Sequence, residues 1–600
     1  MSSPDIRAED RRELETELGQ QIVDDPMSLE LRDDAPALVP ALPVQSFVTV
    51  ARKLEAENRL DLVLPYASAE QITGIFDLDA WERERLVVPR AREWLTRIVE
   101  SYSEAAVERG RLVELMYGTD PEMWILACSA MTAIAELDEP DDDEMRQRVI
   151  EDMKALRTWD TPDGHFVVGV PDNVLGHMAL RILVAIYDDS LVEGRKLISA
   201  IKWSLHAETE EDLLRWRRGR LADLGFPEWE DAMRLFAPLS RDAIVRAGAR
   251  ADDPDSDDNE ANEDQQPAAH VPRERATLPP AALGLPQDLI RRVMRSLDDE
   301  AYDLHLREFL LLANELMAAQ RFEPGDEKLQ ARAVDQAQAT LNLACELLLT
   351  SAPERPEEPE RYLAERVRAA GLRRLFRYGY GPLAKLRKAA LELHRGGRVS
   401  LASVGSLLDR PWGPALASLS RWYPELPLEG KNHSRPLRNL GDLARATSLV
   451  GEAGALAQLC FAAGGLAIDP VWINRADEPE RLHLGDLVRT ALVCGALPGE
   501  SRAGGSLRPL GPDEVDWAAD NLLDADGRLI PALTAALDQA LRALGLDERG
   551  PALAEILLPR LGVELAGLER DAAGKPDLTK LGGLLTIQHV SVWLRTSVGP

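Results

Sequence analysis

Six hundred residues exceed what one hydrophobic core organises, so several domains' worth of chain is expected. A formal charge of −32 opposes non-specific binding to nucleic acid or to an anionic bilayer, since both need cationic surface, which leaves only a local basic patch to look for. A hydrophobic share of 45% lets most of the chain fold, and the 5% of aromatics favours helices packed through aliphatic faces over a β-sandwich.

Along the chain, residues 1–35 carry eleven Asp or Glu against four Arg, with little apolar periodicity, which predicts a disordered acidic tail. Residues 36–248 read as an N-terminal helical domain. In "ASAEQITGIFDLDAWERERL" Ile72, Ile75 and Phe76 share a helix face, and Trp81 is expected to begin the next helix. The stretch "WDTPDGHFVVGVPDN" interrupts this pattern. "FVVGVPD" is short and β-branched between two turn signals, so it reads as an edge strand or β-ribbon near residues 165–171. Asp172 or Asn173 then caps a helix starting near Val174, with Leu175, Met178, Ala179 and Ile182 as its apolar stripe. Further on, "LADLGFPEWEDAMRLF" places Gly225 at a helix C-terminus, with Pro227 opening the next helix.

Eight acidic residues fall between Asp252 and Asp264 with no base among them, and the sequence then turns Pro-rich. Residues 249–285 are therefore expected to be a disordered acidic and Pro-rich linker or insert, preferred by proteases. Residues 286–600 form the expected C-terminal helical domain. Its clearest stripe is Leu306, Phe309, Leu310, Ala313, Leu316 and Met317. "LGDLARAT" at Leu440 recurs as "LGDLVRTA" at Leu484, which reads as two helices sharing a Gly-Asp start rather than as a true repeat.

Most chemical motifs fail on their context. "GYGPLA" (Gly379–Ala384) follows a charged helical segment, lacks the acid a dinucleotide fingerprint needs, and reads as a helix-turn-helix corner. "SAIK" (Ser199–Lys202) lacks the companion elements of a Ser–Lys nucleophile. "DNLLDADGRLIP" puts Leu at both terminal ligand positions of a calcium loop, and is a turn. The densest basic run, "LRWRRGRL" (Leu214–Leu221), follows Glu210, Glu211 and Asp212 by one turn, so it reads as an internally paired helix face. One constellation remains. Asp160, Asp163, His165, Asp172 and His177 combine carboxylate and imidazole in the manner of a Zn, Mn or Fe site, although Asp beside Gly and Pro is also ordinary turn chemistry, the reading preferred here.

Cys128, Cys345, Cys460 and Cys494 lie far apart with no CxxC, which points to a reducing compartment. The N-terminus has no apolar core of a signal peptide, and no run reaches the roughly 18 apolar residues of a membrane span. A cytoplasmic location is expected.

Four segments resemble an uncharacterised bacterial family, domain of unknown function 6178, found mainly in myxobacteria and related deltaproteobacteria. They are "LPYASAEQITGIFDLDAWERERL", "HFVVGVPD", "LRWRRGRLADLGFPEWEDAMRLFAPL" and "LFRYGYGPLAKLR". The resemblance implies a cytosolic bacterial protein and transfers no catalytic residue. The expectation is a mainly α, multi-helical array of amphipathic helix pairs with at most one short β-ribbon. Its expected role is that of a non-enzymatic interaction or scaffold protein with protein partners, no cofactor, no nucleic acid and no membrane. The alternative is a metal-assisted hydrolase or lyase using the Asp160–His177 region.

Overall fold

A computed structural model describes residues 21–102, 106–137, 143–250, 288–352, 356–394, 408–428, 433–462, 464–466, 468, 476–477, 482–498, 507–571 and 574–590. The fold is mainly α, as the 3.6-residue periodicity requires. The described residues group into two compact units, one from Met1–Gln338 with Pro356–Arg377, the other from Ala339–Arg355 with Tyr378–Pro600.

In the first unit two helix ends follow the signals in their sequences, while the helix expected to open at Pro227 starts two residues later, at Trp229. Ser68 caps Ala69–Asp79 by accepting from the Gln71 N–H, while the Gln71 side chain returns a bond to the Ser68 N–H. Ile72, Ile75 and Phe76 of this helix are buried, as expected. His206–Asp223 ends as expected with Gly225 at φ +85°, and the Phe226 N–H reaches the Leu221 carbonyl at 2.8 Å. Trp81 does not open a helix. It begins β1 (Trp81–Glu82), paired with β2 (Arg85–Leu86) in a tight hairpin whose Arg83 has positive φ.

Sheet content exceeds the single ribbon expected. β3 (Ala133–Glu136), β4 (Arg157–Asp160) and β5 (Phe166–Val170) form an antiparallel sheet in the order β3-β5-β4. The second unit adds the two-stranded β6 (Glu425–Pro427) and β7 (Ser434–Pro436). β5 is therefore the central strand and not an edge. All five of its residues are buried, which is why it reads as a continuous apolar run rather than an alternating one. Its neighbours were not legible, because "AIAE" and "RTWD" carry helix-compatible or charged residues that only pairing makes strands.

Two other expectations need correction. Residues 21–35 of the acidic tail are packed: Ile22, Val23, Leu29 and Ala35 are buried in the first core, with the acids between them turned outward. Residues 1–20 lie outside the described residues, as does 251–287, which takes in most of the expected linker. The compact units do not divide at that linker, because helices on both of its sides build the first unit. The Asn314 amide donates to the Leu224 carbonyl at 2.6 Å, Trp229 Nε1 to the Ala319 carbonyl at 3.2 Å, and Arg377 Nε to the Ala237 carbonyl at 2.9 Å. Cleavage at a protease site inserted between residues 251 and 286 should thus leave two fragments that co-elute on size exclusion. Separation of the fragments without denaturant would show that these contacts do not hold them.

Candidate functional site

The residues from Asp160 to His177 are placed by the hairpin between β4 and β5 and by the helix Val174–Asp189 that follows. The turn is closed by Thr161 and by Gly164 at φ +71°. Asp163 is nearly enclosed, its side chain 5% exposed. Its carboxylate accepts from Thr161 Oγ1 at 2.6 Å, from the His165 N–H at 3.2 Å and from the Arg195 guanidinium. Burial pushes this carboxyl up, but those donors outweigh it and hold the group below the ordinary range. Asp172 pairs with His177 at 3.0 Å on the surface. Asn173, not Asp172, caps the Val174–Asp189 helix, accepting from the Gly176 N–H at 2.9 Å. Asp160 is exposed at the end of β4, and His165 is half-buried, its carbonyl accepting from the Leu137 N–H. The five candidates thus do not converge on one point. Two carboxylates are committed to an arginine and a surface histidine, and turn and sheet chemistry accounts for the rest.

The basic run is also consumed internally, but not by the pairing along the helix that its spacing suggested. Only Arg215 pairs within its own helix, with Asp212 at 3.0 Å. Arg217 is buried and donates to the carbonyls of Asp77 and Arg83. Arg218 meets Glu84 at 2.6 Å, and Arg220 meets Asp77 and Asp120 at 2.7 and 2.8 Å. "GYGPLA" lies inside one continuous helix, Leu372–His394, and not at a corner. A Cβ on Gly379 would stand 2.4 Å from the Thr340 carbonyl, so this glycine allows two helices to pack backbone to backbone. Lys202 of "SAIK" is tied to Glu136 at 2.6 Å, and the Asp524 carboxylate closes its own turn through the Asp526 and Arg528 N–H groups.

Among the described residues, one set of histidine and carboxylate groups has its ligand atoms within 4.8 Å of one another: Asp409, His483 and Asp486, in the second unit. It is built by the second Leu-Gly-Asp-Leu. His483 precedes the helix Leu484–Ala496, and Asp486 in the first turn accepts the His483 N–H at 2.8 Å. The first copy does the same work: Asn439 caps Leu440–Phe461, and Asp442 binds the Arg438 N–H and the Arg435 guanidinium. The echo is two helix starts, each with an acid that binds backbone N–H and an arginine.

Around Asp486 the charges are dense and buried. Asp409, Asp486 and Arg489 are each 1% exposed. Asp409 Oδ2 accepts the Gly485 N–H at 2.7 Å, at the positive end of the helix. A Cβ on Gly485 would lie 2.6 Å from that carboxylate, so glycine is required there. Asp409 Oδ1 faces Arg489 at 3.5 Å and Arg560 at 3.3 Å. Arg489 binds Asp486 Oδ1 and donates to the Gly583 carbonyl at 2.8 Å. Thr490 Oγ1 bonds the Asp486 carbonyl and accepts the Leu585 N–H, both at 2.7 Å. His483 is 34% exposed on its side chain, and its Nδ1 lies 3.5 Å from Asp486 Oδ2. The nearby Asp486 raises the imidazole above its ordinary range.

The chain belongs to a family of unknown function, DUF6178, matched over residues 9–585. No curated protein and no solved structure matches it.

Membership of DUF6178 assigns no chemistry, so the cluster must be judged on its own geometry. Each of the four carboxylate oxygens of Asp409 and Asp486 already faces an N–H or a guanidinium. Two arginines balance the two acids, and a divalent ion would have to displace or oppose both. The arrangement is a buried ion-pair knot tying the loop at Asp409 and the backbone at Gly583 to one helix start. Sequence reading missed Asp409 and Arg489. The repeated Leu-Gly-Asp-Leu was the one local signal, and it named Asp486 without naming its partners. Among the described residues, no helix is long and apolar enough to cross a membrane.

Proposed function

We propose that this protein is a non-enzymatic helical interaction or scaffold protein that binds protein partners through the helices Leu191–Trp203 and His206–Asp223 of its first unit. The observation that carries this reading is apolar exposure. Leu191, Val192, Trp203, Leu205 and Trp216 all stand exposed, Trp203 at 73% and Leu205 at 61%. Isolated exposed hydrophobics are ordinary, but two tryptophans and three aliphatic residues on consecutive helices are the kind of surface that partners cover. Lys202 and Arg215 are spent on pairs with Glu136 and Asp212 and lie over the rings of Trp203 and Trp216, so the exposed apolar groups alternate with charges that are already paired. The net charge of −32 disfavours nucleic acid and anionic membranes as partners. Buried thiols at Cys128, Cys345 and Cys460 suit a reducing compartment such as the cytoplasm.

The competing metal-assisted hydrolase reading draws no support from the Asp160–His177 region, where Asp163 and Asp172 are already engaged. Co-precipitation from the native cell with wild-type protein and with a Trp203→Glu, Leu205→Glu variant tests the interaction reading. The expected result is a defined set of proteins lost with the folded variant. An identical set with both baits, or no co-purifying protein at all, overturns it.

A further inference from the structure

We propose that the Asp409–His483–Asp486 knot of the second unit is a pH-sensitive fastener. Charged His483 holds the Asp409 loop and the Gly583–Leu585 backbone onto the start of the Leu484–Ala496 helix, and loss of its proton loosens them. This inference is independent of the partner-binding surface, which lies in the other unit.

The geometry is that of a partly exposed imidazole at the edge of a buried charge network. His483 presents Nδ1 to Asp486 Oδ2 at 3.5 Å, and that nitrogen is inaccessible to solvent with no closer partner. The groups facing it are Asp486 from its own helix, Asp409 from the preceding loop and Arg560 from the helix Gly550–Ala566, while Glu564 of that helix faces Arg560, Arg489 and Asp486 in turn. Without the imidazolium, Arg489 and Arg560 balance Asp409 and Asp486, and an ionised Glu564 leaves the cluster one charge negative. With it, the cluster is neutral. His483 also stands at the positive end of a helix, where its charge is unfavourable unless a carboxylate answers it, as Asp486 does.

The sign follows from linkage. The folded state raises the His483 pKa above its ordinary value, chiefly through Asp486. Its stabilising effect is therefore complete below about pH 6.5 and is lost as pH rises through the folded value. Burial also pushes the Glu564 carboxyl up, against the pull of Arg560 and Arg489. That acts in the same direction, but starts from the lower carboxylate range.

Hydrogen exchange of the full chain at about pH 6 and about pH 8, corrected for intrinsic rates, tests the proposal. Peptides covering residues 483–497 should lose roughly three- to tenfold protection at the higher pH, while peptides covering β5 in the first unit do not change. His483→Gln should be flat. If that variant does not fold, His483→Asn supplies a capping side chain without the charge and should behave the same way. Glu564→Gln should keep the near-neutral loss, and its disappearance there would move the titration to Glu564 and overturn the assignment. Equal protection at both pH values in the wild type, or an unchanged loss in the His483 variants, also overturns it.

Discussion

Arg489→Met should cost the second unit about 3–5 kcal/mol of stability, the largest single effect expected in this chain. The guanidinium is 1% exposed and stands against two carboxylates that are themselves 1% exposed. Met fills a similar volume, so the loss is electrostatic rather than a cavity. Asp409 keeps Arg560 at 3.3 Å, but Asp486 Oδ1 and the Gly583 carbonyl are left without their donor. Removing both members of the pair, Arg489→Met with Asp486→Leu, should recover part of the loss, because no uncompensated charge then remains on that helix. Two units in one chain make a single unfolding midpoint ambiguous. The measurement is therefore urea unfolding followed by pulse proteolysis, with peptides assigned to each unit. A loss below about 1 kcal/mol, or a double variant no better than the single one, would show that the knot relaxes into solvent.

Asp79→Ala should destabilise the first unit by about 3 kcal/mol. Asp79 is the last residue of the Ala69–Asp79 helix, and its side chain is 10% exposed. One oxygen accepts from Trp94 Nε1 at 2.6 Å and from Arg90 Nε at 2.8 Å, and the other faces Arg52. The carboxylate thereby joins three helices: its own, Val44–Ala56 through Arg52, and Val88–Glu100 through Arg90 and Trp94. In the variant Arg90 keeps Glu55 and Glu93, and Arg52 keeps the Gly325 and Leu78 carbonyls, so both arginines retain partners. Trp94 does not, since its ring is fully buried and its N–H has no other acceptor. Trp94→Phe in the Asp79→Ala background should therefore cost less than Trp94→Phe alone, a coupling that a double-mutant cycle reads directly. Additive effects would show that Asp79 acts only through its arginines.

The helical class was legible because it rests on local rules. The stripe from Leu306 to Met317 buries Ala313, Leu316 and Met317, and the Val174–Asp189 helix begins at the residue its cap announces. β5 was legible as a strand because five consecutive buried residues need an apolar run. Its rank as the central strand was not, because "AIAE" and "RTWD" become strands only by pairing with it. Packing of residues 21–35 was hidden by the acids that separate Ile22, Val23 and Leu29. The candidate site divides in the same way. Asp163 closes its own turn, Asn173 rather than Asp172 caps the following helix, and the knot lay elsewhere.

The sequence by itself determined the mainly α class, the helix starts and stops, the excess of acid and the presence of a strand at residues 166–170. Each of these follows from side chains within a turn or two of one another. Only the tertiary structure decided which charges meet. Asp409 and Gly485 are 76 positions apart in the chain, Arg217 reaches back 140 positions to Asp77, and the helices on either side of the acidic segment share one unit. No local periodicity encodes such pairings. A buried charge selects its partner by what the packed helices bring within about 4 Å, and that is a property of the whole fold.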